Sequence, residues 1–150
     1  MLFVLFVANE ETYAVEAKLV IKVIPAVRLR HIPGSPDYVA GLFRYKGEVV
    51  PVLDLSRLLG EPGSTECLGT RILLVRYRGH AQSERILGLM AEKVIQTVRR
   101  DEADFDQTGV VSTIAPFLGK IACDPERMIQ RIMIDRLFPQ GLEAVLFPEE

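Results

Sequence analysis

The stretch GLFRYKGEVVPVLDLSRLLG, Gly41 to Gly60, sets a strand breaker, a carboxylate and two cations inside one apolar run. Residues 39–45 and 48–53 are rich in β-branched and aromatic side chains, which suit a half-buried pleated surface, and they read as two strands. Between them stands Lys46-Gly47, where Gly47 supplies the positive φ that a tight hairpin needs. Pro51 has no N–H to give to a ladder, so it belongs at a sheet edge or at a bulge. A strand that bends there can pass from one layer to another, as small barrels require at their corners. Asp54 closes the run ahead of LSRLL, where a carboxylate caps the first turn of a helix and complements its partial positive charge. Gly60 then supplies the helix stop.

Strand chemistry extends in both directions from this hairpin. Leu2 to Val7 and Tyr13 to Val15 flank the polar loop ANEE, and Lys18 to Ile24 forms a further strand. HIPGSPDY is loop, with Ser35 ahead of Pro36 placed to cap one helical turn. GEPGSTECLG, residues 60–69, is the clearest linker in the chain. Beyond it the opening pattern recurs as strand RILLVRY, polar loop RGHAQSE and returning strand RILGLM. YAVEAKLVIKVI slides onto LGLMAEKVIQTV, keeping Ala17 over Ala91 and Val20-Ile21 over Val94-Ile95. A second match sets VLDLSRLL against MIDRLFP, so that Asp54 and Asp135 each close a buried strand and cap the turn after it. The pattern predicts two similar small β units, neither able to bury enough apolar area alone. RRDEADFDQTGVVSTIAP is a long irregular stretch, and the tail GLEAVLFPEE has Leu142, Val145 and Leu146 at helical spacing. That tail suits a short docked helix or a partner-binding segment.

Composition narrows the function. With 150 residues and 49% apolar content, the chain has material for one core and some apolar surface for partners. A net charge of −2 and the lack of a basic run with interleaved aromatics argue against nucleic acid. MLFVLFVA has no basic leader region or small-residue cleavage site and is far short of a bilayer span, so it reads as an internal strand without membrane insertion. Cys67 and Cys123 are widely separated and outside any CxxC pattern, as thiols in a reducing compartment are. His31 and His80 sit singly in loops without metal-ligand spacing. DEADFD lacks the loop glycine and terminal glutamate of an EF-hand, so its acids read as solvated turn residues. No nucleophile elbow, P-loop or dinucleotide fingerprint is present, and no catalysis, metal or cofactor is expected.

With Gly41, Gly47, Pro51, Asp54 and Leu55 in place, GLFRYKGEVVPVLDL resembles the motif of the CheW-like family of chemotaxis coupling proteins, in outline G-x-x-N-x-R-G-x-x-x-P-x-x-D-L. IPGSPDYVAG resembles the family's approach to that motif, and YAVEAKLVIKVI its first hairpin return. The likeness covers nearly the whole chain, the second half by pattern more than by identity. It implies an all-β fold with short helices, in which two intertwined five-stranded SH3-like barrels share a hydrophobic core. That is one domain over residues 1–150, with subdomains at about 18–85 and 86–150 plus the N-terminal strands. It also implies a cytoplasmic, non-catalytic adaptor, held at membrane receptor arrays through its partners. Those partners are the regulatory domain of a CheA-type histidine kinase and the helical cytoplasmic tip of a methyl-accepting receptor. Val20, Lys22, Gly41, Arg44 and Lys46 fall in the receptor groove on this pattern.

Three of those positions depart from the family, which usually has Glu at Lys22, Asn at Arg44 and Arg at Lys46. Two ammonium groups cannot complement each other as the usual pair would, and Arg44 adds a third charge. Repulsion of this kind can exclude a wrong partner, which suggests a paralogue matched to a receptor tip with extra carboxylates, as in a surface-sensing, Wsp-like pathway. The alternatives are a β-barrel module binding peptide or nucleic acid outside chemosensing, a hydrolase with an unrecognised site, and a decoy homologue that no longer binds kinase.

Overall fold

The computed structural model describes residues 1–60, 69–78, 84–105 and 116–137. Strand β1, Leu2–Ala8, is apolar throughout because both of its faces are buried. Phe3 and Leu5 enter one core with Ala14, Phe105, Ala122 and Ile129, while Val4, Phe6 and Ala8 enter another. β2 follows at Glu11–Glu16 after a turn in which Asn9 and Glu10 take φ of 52° and 66°. The chain then continues through β3 (Val20–Pro25), β4 (Val39–Tyr45) and β5 (Glu48–Asp54) to α1 (Leu55–Leu58). Strands β6 (Arg71–Tyr77), β7 (Arg85–Ala91), β8 (Lys93–Arg99), β9 (Leu118–Asp124) and β10 (Arg127–Ile132) complete the order.

The strands form two five-stranded sheets, β8-β1-β2-β10-β9 and β3-β6-β7-β5-β4. The fold is mostly β with one short α-helix, as expected, and the sheets correspond to the two SH3-like units. Each half of the chain gives two strands to one sheet and three to the other, which is what intertwines them. β2 pairs in parallel with β10, and β5 pairs in parallel with β7, so the halves repeat in connectivity as well as in sequence. Side-chain alternation then builds three cores. Val50, Val52, Ile72, Leu74 and Met90 fill the second sheet's unit. Leu53, Leu73, Val75, Leu87 and Leu89 face the shared core, where Val4, Phe6 and Val15 of the first sheet meet them.

Locally the structure departs from the sequence expectation. The strand expected from Lys18 begins at Val20, because Ala17–Leu19 form a single 3₁₀ turn where the chain crosses between sheets. Ser35 does not cap a helix: its hydroxyl donates to the Ile32 carbonyl at 2.6 Å, and the following turn is closed by Val39 N–H to the Pro36 carbonyl at 3.0 Å. Asp54 does cap α1, accepting from Ser56 N–H at 3.0 Å, and Gly60 ends the turn with φ of 83°.

Asp135 does not play the same part. β10 ends at Ile132, Met133 takes the cap position, and Asp135 lies inside the 3₁₀ turn Ile134–Arg136. Sheet register explains this. Val52 faces Gly88 of β7, and Arg131 faces Ala14 of β2, the residue that the repeat equates with Gly88. Met133 is therefore the counterpart of Asp54, and Ile132 and Ile134 enter the shared core as Leu53 and Leu55 do. The MIDR match is two residues out of register. Most of the 60–69 linker, His80, Cys67, Asp106 and the expected terminal helix lie outside the described residues.

Candidate functional site

The β4–β5 hairpin places the motif residues. Its turn is Lys46-Gly47, with φ of 48° and 82°, and the Lys46 ammonium sits 5.5 Å from the centre of the Tyr45 ring. Gly41 stands at a bulge where the β4–β5 register shifts between Val39 and Gly41. A Cβ on Gly41 would come within 2.6 Å of the Arg30 carbonyl oxygen and 2.9 Å of the Leu29 Cβ, and its φ is +148°. Only glycine lets the Leu29–Arg30 backbone lie against β4 there.

Pro51 is buried in a strand that is interior to its sheet, yet the reason for tolerating it is the one expected of an edge. Leu42, its partner in β4, gives its N–H and its carbonyl to Arg30, so the Leu42–Pro51 pair exchanges no ladder bonds. The proline nitrogen therefore faces away from β4, and β7 pairs with β5 only from Val52 onward. No ladder bond is lost at Pro51.

The same arrangement creates a groove of about 730 Å³ between the 28–31 segment and the hairpin. Arg28, Arg30, His31 and Arg44 supply its polar lining, and Leu29, Leu42, Phe43 and Val49 its apolar lining. The cations are exposed, and no described residue forms a salt bridge with Arg28, Arg30 or Arg44. Arg28 and Leu29 also line a neighbouring hollow that contains Asp54, a residue 7% exposed whose carboxylate accepts from Ser56 N–H. Positive charge thus dominates the groove of a protein whose net charge is negative.

Of the five residues expected in a receptor groove, this groove takes Arg44 on its wall, with Gly41 shaping the backbone beside it. Lys46 is at the exposed hairpin tip. Val20 and Lys22 are on β3, at the opposite margin of the sheet order, with Val20 packed against the shared core and Lys22 exposed. Arg28 and Arg30 join the groove in addition to the five residues the sequence points to. Their signal is the alternation Arg28-Leu29-Arg30, a cation–apolar strand pattern next to a loop. Among the described residues no group of His, Cys, Asp and Glu is placed to hold a metal ion, and no helix is long and apolar enough to cross a membrane.

Comparison with known proteins agrees with this architecture. The CheW-like domain matches residues 2–141. The chain is similar to the chemotaxis protein CheW of Helicobacter pylori, 25% identical over 104 residues, and to that of Bacillus subtilis, 29% identical over 75 residues. Those matches cover 69% and 50% of this chain but only 60% and 48% of the relatives' own lengths. The crystal structure of the scaffolding protein TtCheW from Thermoanaerobacter tengcongensis superposes with a TM-score of 0.83 at 28% identity, covering 97% of this chain and 98% of that one. With a family match over nearly its whole length and the same two-sheet fold, the chain belongs to the CheW-like domain family.

Proposed function

We propose that this chain is a non-catalytic adaptor that couples a methyl-accepting receptor to a CheA-type histidine kinase in a chemosensory array. The observation that carries this reading is the near-complete match to a CheW scaffolding protein in both sequence family and fold. Its 150 residues act as one unit, cytoplasmic and held at the membrane by the receptor. The helical receptor tip docks over Val20 and Lys22 of β3 and Lys46 of the hairpin tip, and the kinase's regulatory domain takes another face. Lys22 and Lys46 favour a tip richer in carboxylates than usual, which suits a specialised, surface-sensing pathway.

Pull-downs with cytoplasmic fragments of every receptor of the host, and separately with the kinase's regulatory domain, test this. One receptor tip is retained well above the others, and Lys22→Glu weakens that cognate pair. Equal retention of all tips removes the specialisation. Failure to retain both receptor and kinase removes the adaptor reading, and retention of receptor without kinase replaces it with a decoy.

A further inference from the structure

The 28–30 segment runs beside β4 for a single bridge. Arg30 N–H donates to the Leu42 carbonyl at 2.8 Å, and Leu42 N–H donates to the Arg30 carbonyl at 2.9 Å. Continued by two residues, this antiparallel register sets Arg28 opposite Arg44, and there the ladder stops. Like charges directly opposite each other destabilise a strand pair, and two guanidinium groups account for the stop. Backbone groups alternate in direction along a strand, so Arg44 turns its N–H and carbonyl the same way as Leu42, away from β5. Among the described residues no backbone hydrogen bond takes them. An edge with unmade bonds is a template for another strand. Arg28, Arg30 and Arg44 surround this edge with positive charge, and Val49, paired with Arg44, is 58% exposed beside it.

We propose that the groove receives an acidic protein segment in extended conformation, which adds to β4 as a strand at Arg44. Its carboxylates meet the guanidinium forks of Arg28 and Arg44, which are suited to paired hydrogen bonds, and its alternate, apolar side chains lie on the other face beside Phe43. Carboxylates placed between Arg28 and Arg44 also cancel the repulsion that halts the ladder. Charge therefore selects the ligand, and backbone bonding selects its conformation. This holds whether or not the chain couples receptor to kinase, and the assay that tests it contains neither protein.

The probe is a fluorescein-labelled peptide alternating Glu with Val, titrated with the full chain and read by fluorescence polarisation. Saturable binding is expected, weakening as salt is raised. Arg28→Glu and Arg44→Glu each reduce affinity by roughly tenfold or more, at solvent-exposed positions that leave the thermal transition in place. N-methylation of alternate peptide amides, made in both phases, abolishes binding in at least one phase. The Arg44 amide exchanges hydrogen more slowly in the complex. A peptide alternating Lys with Val does not bind. The proposal is overturned if both N-methylated peptides bind as well as the parent, if a stapled helical peptide of equal charge binds as tightly, if neither Arg variant changes affinity, or if the Glu-Val peptide does not bind.

Discussion

At Gly41 a single missing side chain decides how the 26–31 segment meets β4. Gly41→Ala puts a Cβ within 2.6 Å of a backbone carbonyl oxygen at a φ that disfavours any side chain, so backbone has to move. Gly47 has positive φ too, but open space around it. Gly41→Ala should therefore cost roughly 2–4 kcal/mol of unfolding free energy and Gly47→Ala about 1, and urea denaturation of the two variants checks the order. Tyr13 gives a second residue-scale prediction. Burial, with a smaller contribution from Glu11, raises its phenol above the ordinary 10.0. The unfolded chain then ionises first, so this contribution to stability is intact below pH 10.0 and is lost as pH rises through the folded value. Denaturation midpoints should fall above that pH, and Tyr13→Phe should flatten the fall. Residues of this sort differ in how visible they were. Gly47 was legible because a turn glycine between two strand patterns has few other uses. Gly41 needed its neighbour, since nothing in GLFRY says that the Leu29–Arg30 backbone approaches it.

At the scale of elements, β10 is fixed by a polar cluster that its sequence only hints at. Arg131 bonds Glu16 at the end of β2, donates to both carboxylate oxygens of Glu102 at 3.0 and 3.1 Å, and lies 5.3 Å from the Phe3 ring centre. It stands where the second sheet has Val52, so one unit holds an ion pair at a position the other fills with a methyl-bearing side chain. Side-chain exposure at Arg131 and Glu16 is only 13% and 12%, and deleting Arg131 leaves the Glu16 carboxylate poorly solvated with only the exposed Lys18 ammonium, 3.2 Å away, as its ion-pair partner. Arg131→Met should cost about 3 kcal/mol, and Arg131→Met with Glu16→Gln should cost less than the sum of the two single changes, measured as a double-mutant cycle. The repeat was legible where it rests on whole strands, as in β2–β3 over β7–β8. It slipped by two residues at Asp135 because an aspartate is conspicuous in sequence, whereas register is set by pairing with β2. The arginine groove was not legible as a site. Arg44 stood in a motif, but Arg28 and Arg30 join it only through the bridge to Leu42.

At the scale of the molecule, exchange of strands between the halves ties both units to one transition. Residues 1–91 alone would keep β1 and β2 without β8 and β10, the strands that flank them in their sheet. Such a fragment should lack the dispersed amide spectrum of the full chain, and the full chain should unfold in urea in one step whether followed near Phe3 or near Tyr77. The most direct measurement is autophosphorylation of the cognate CheA-type kinase with its receptor in membranes, with and without this chain. The adaptor account predicts that ligand control of the kinase rate appears only when the chain is added and fades with Lys22→Glu. A kinase rate that is the same with and without the chain, and indifferent to receptor ligand in both cases, would contradict it.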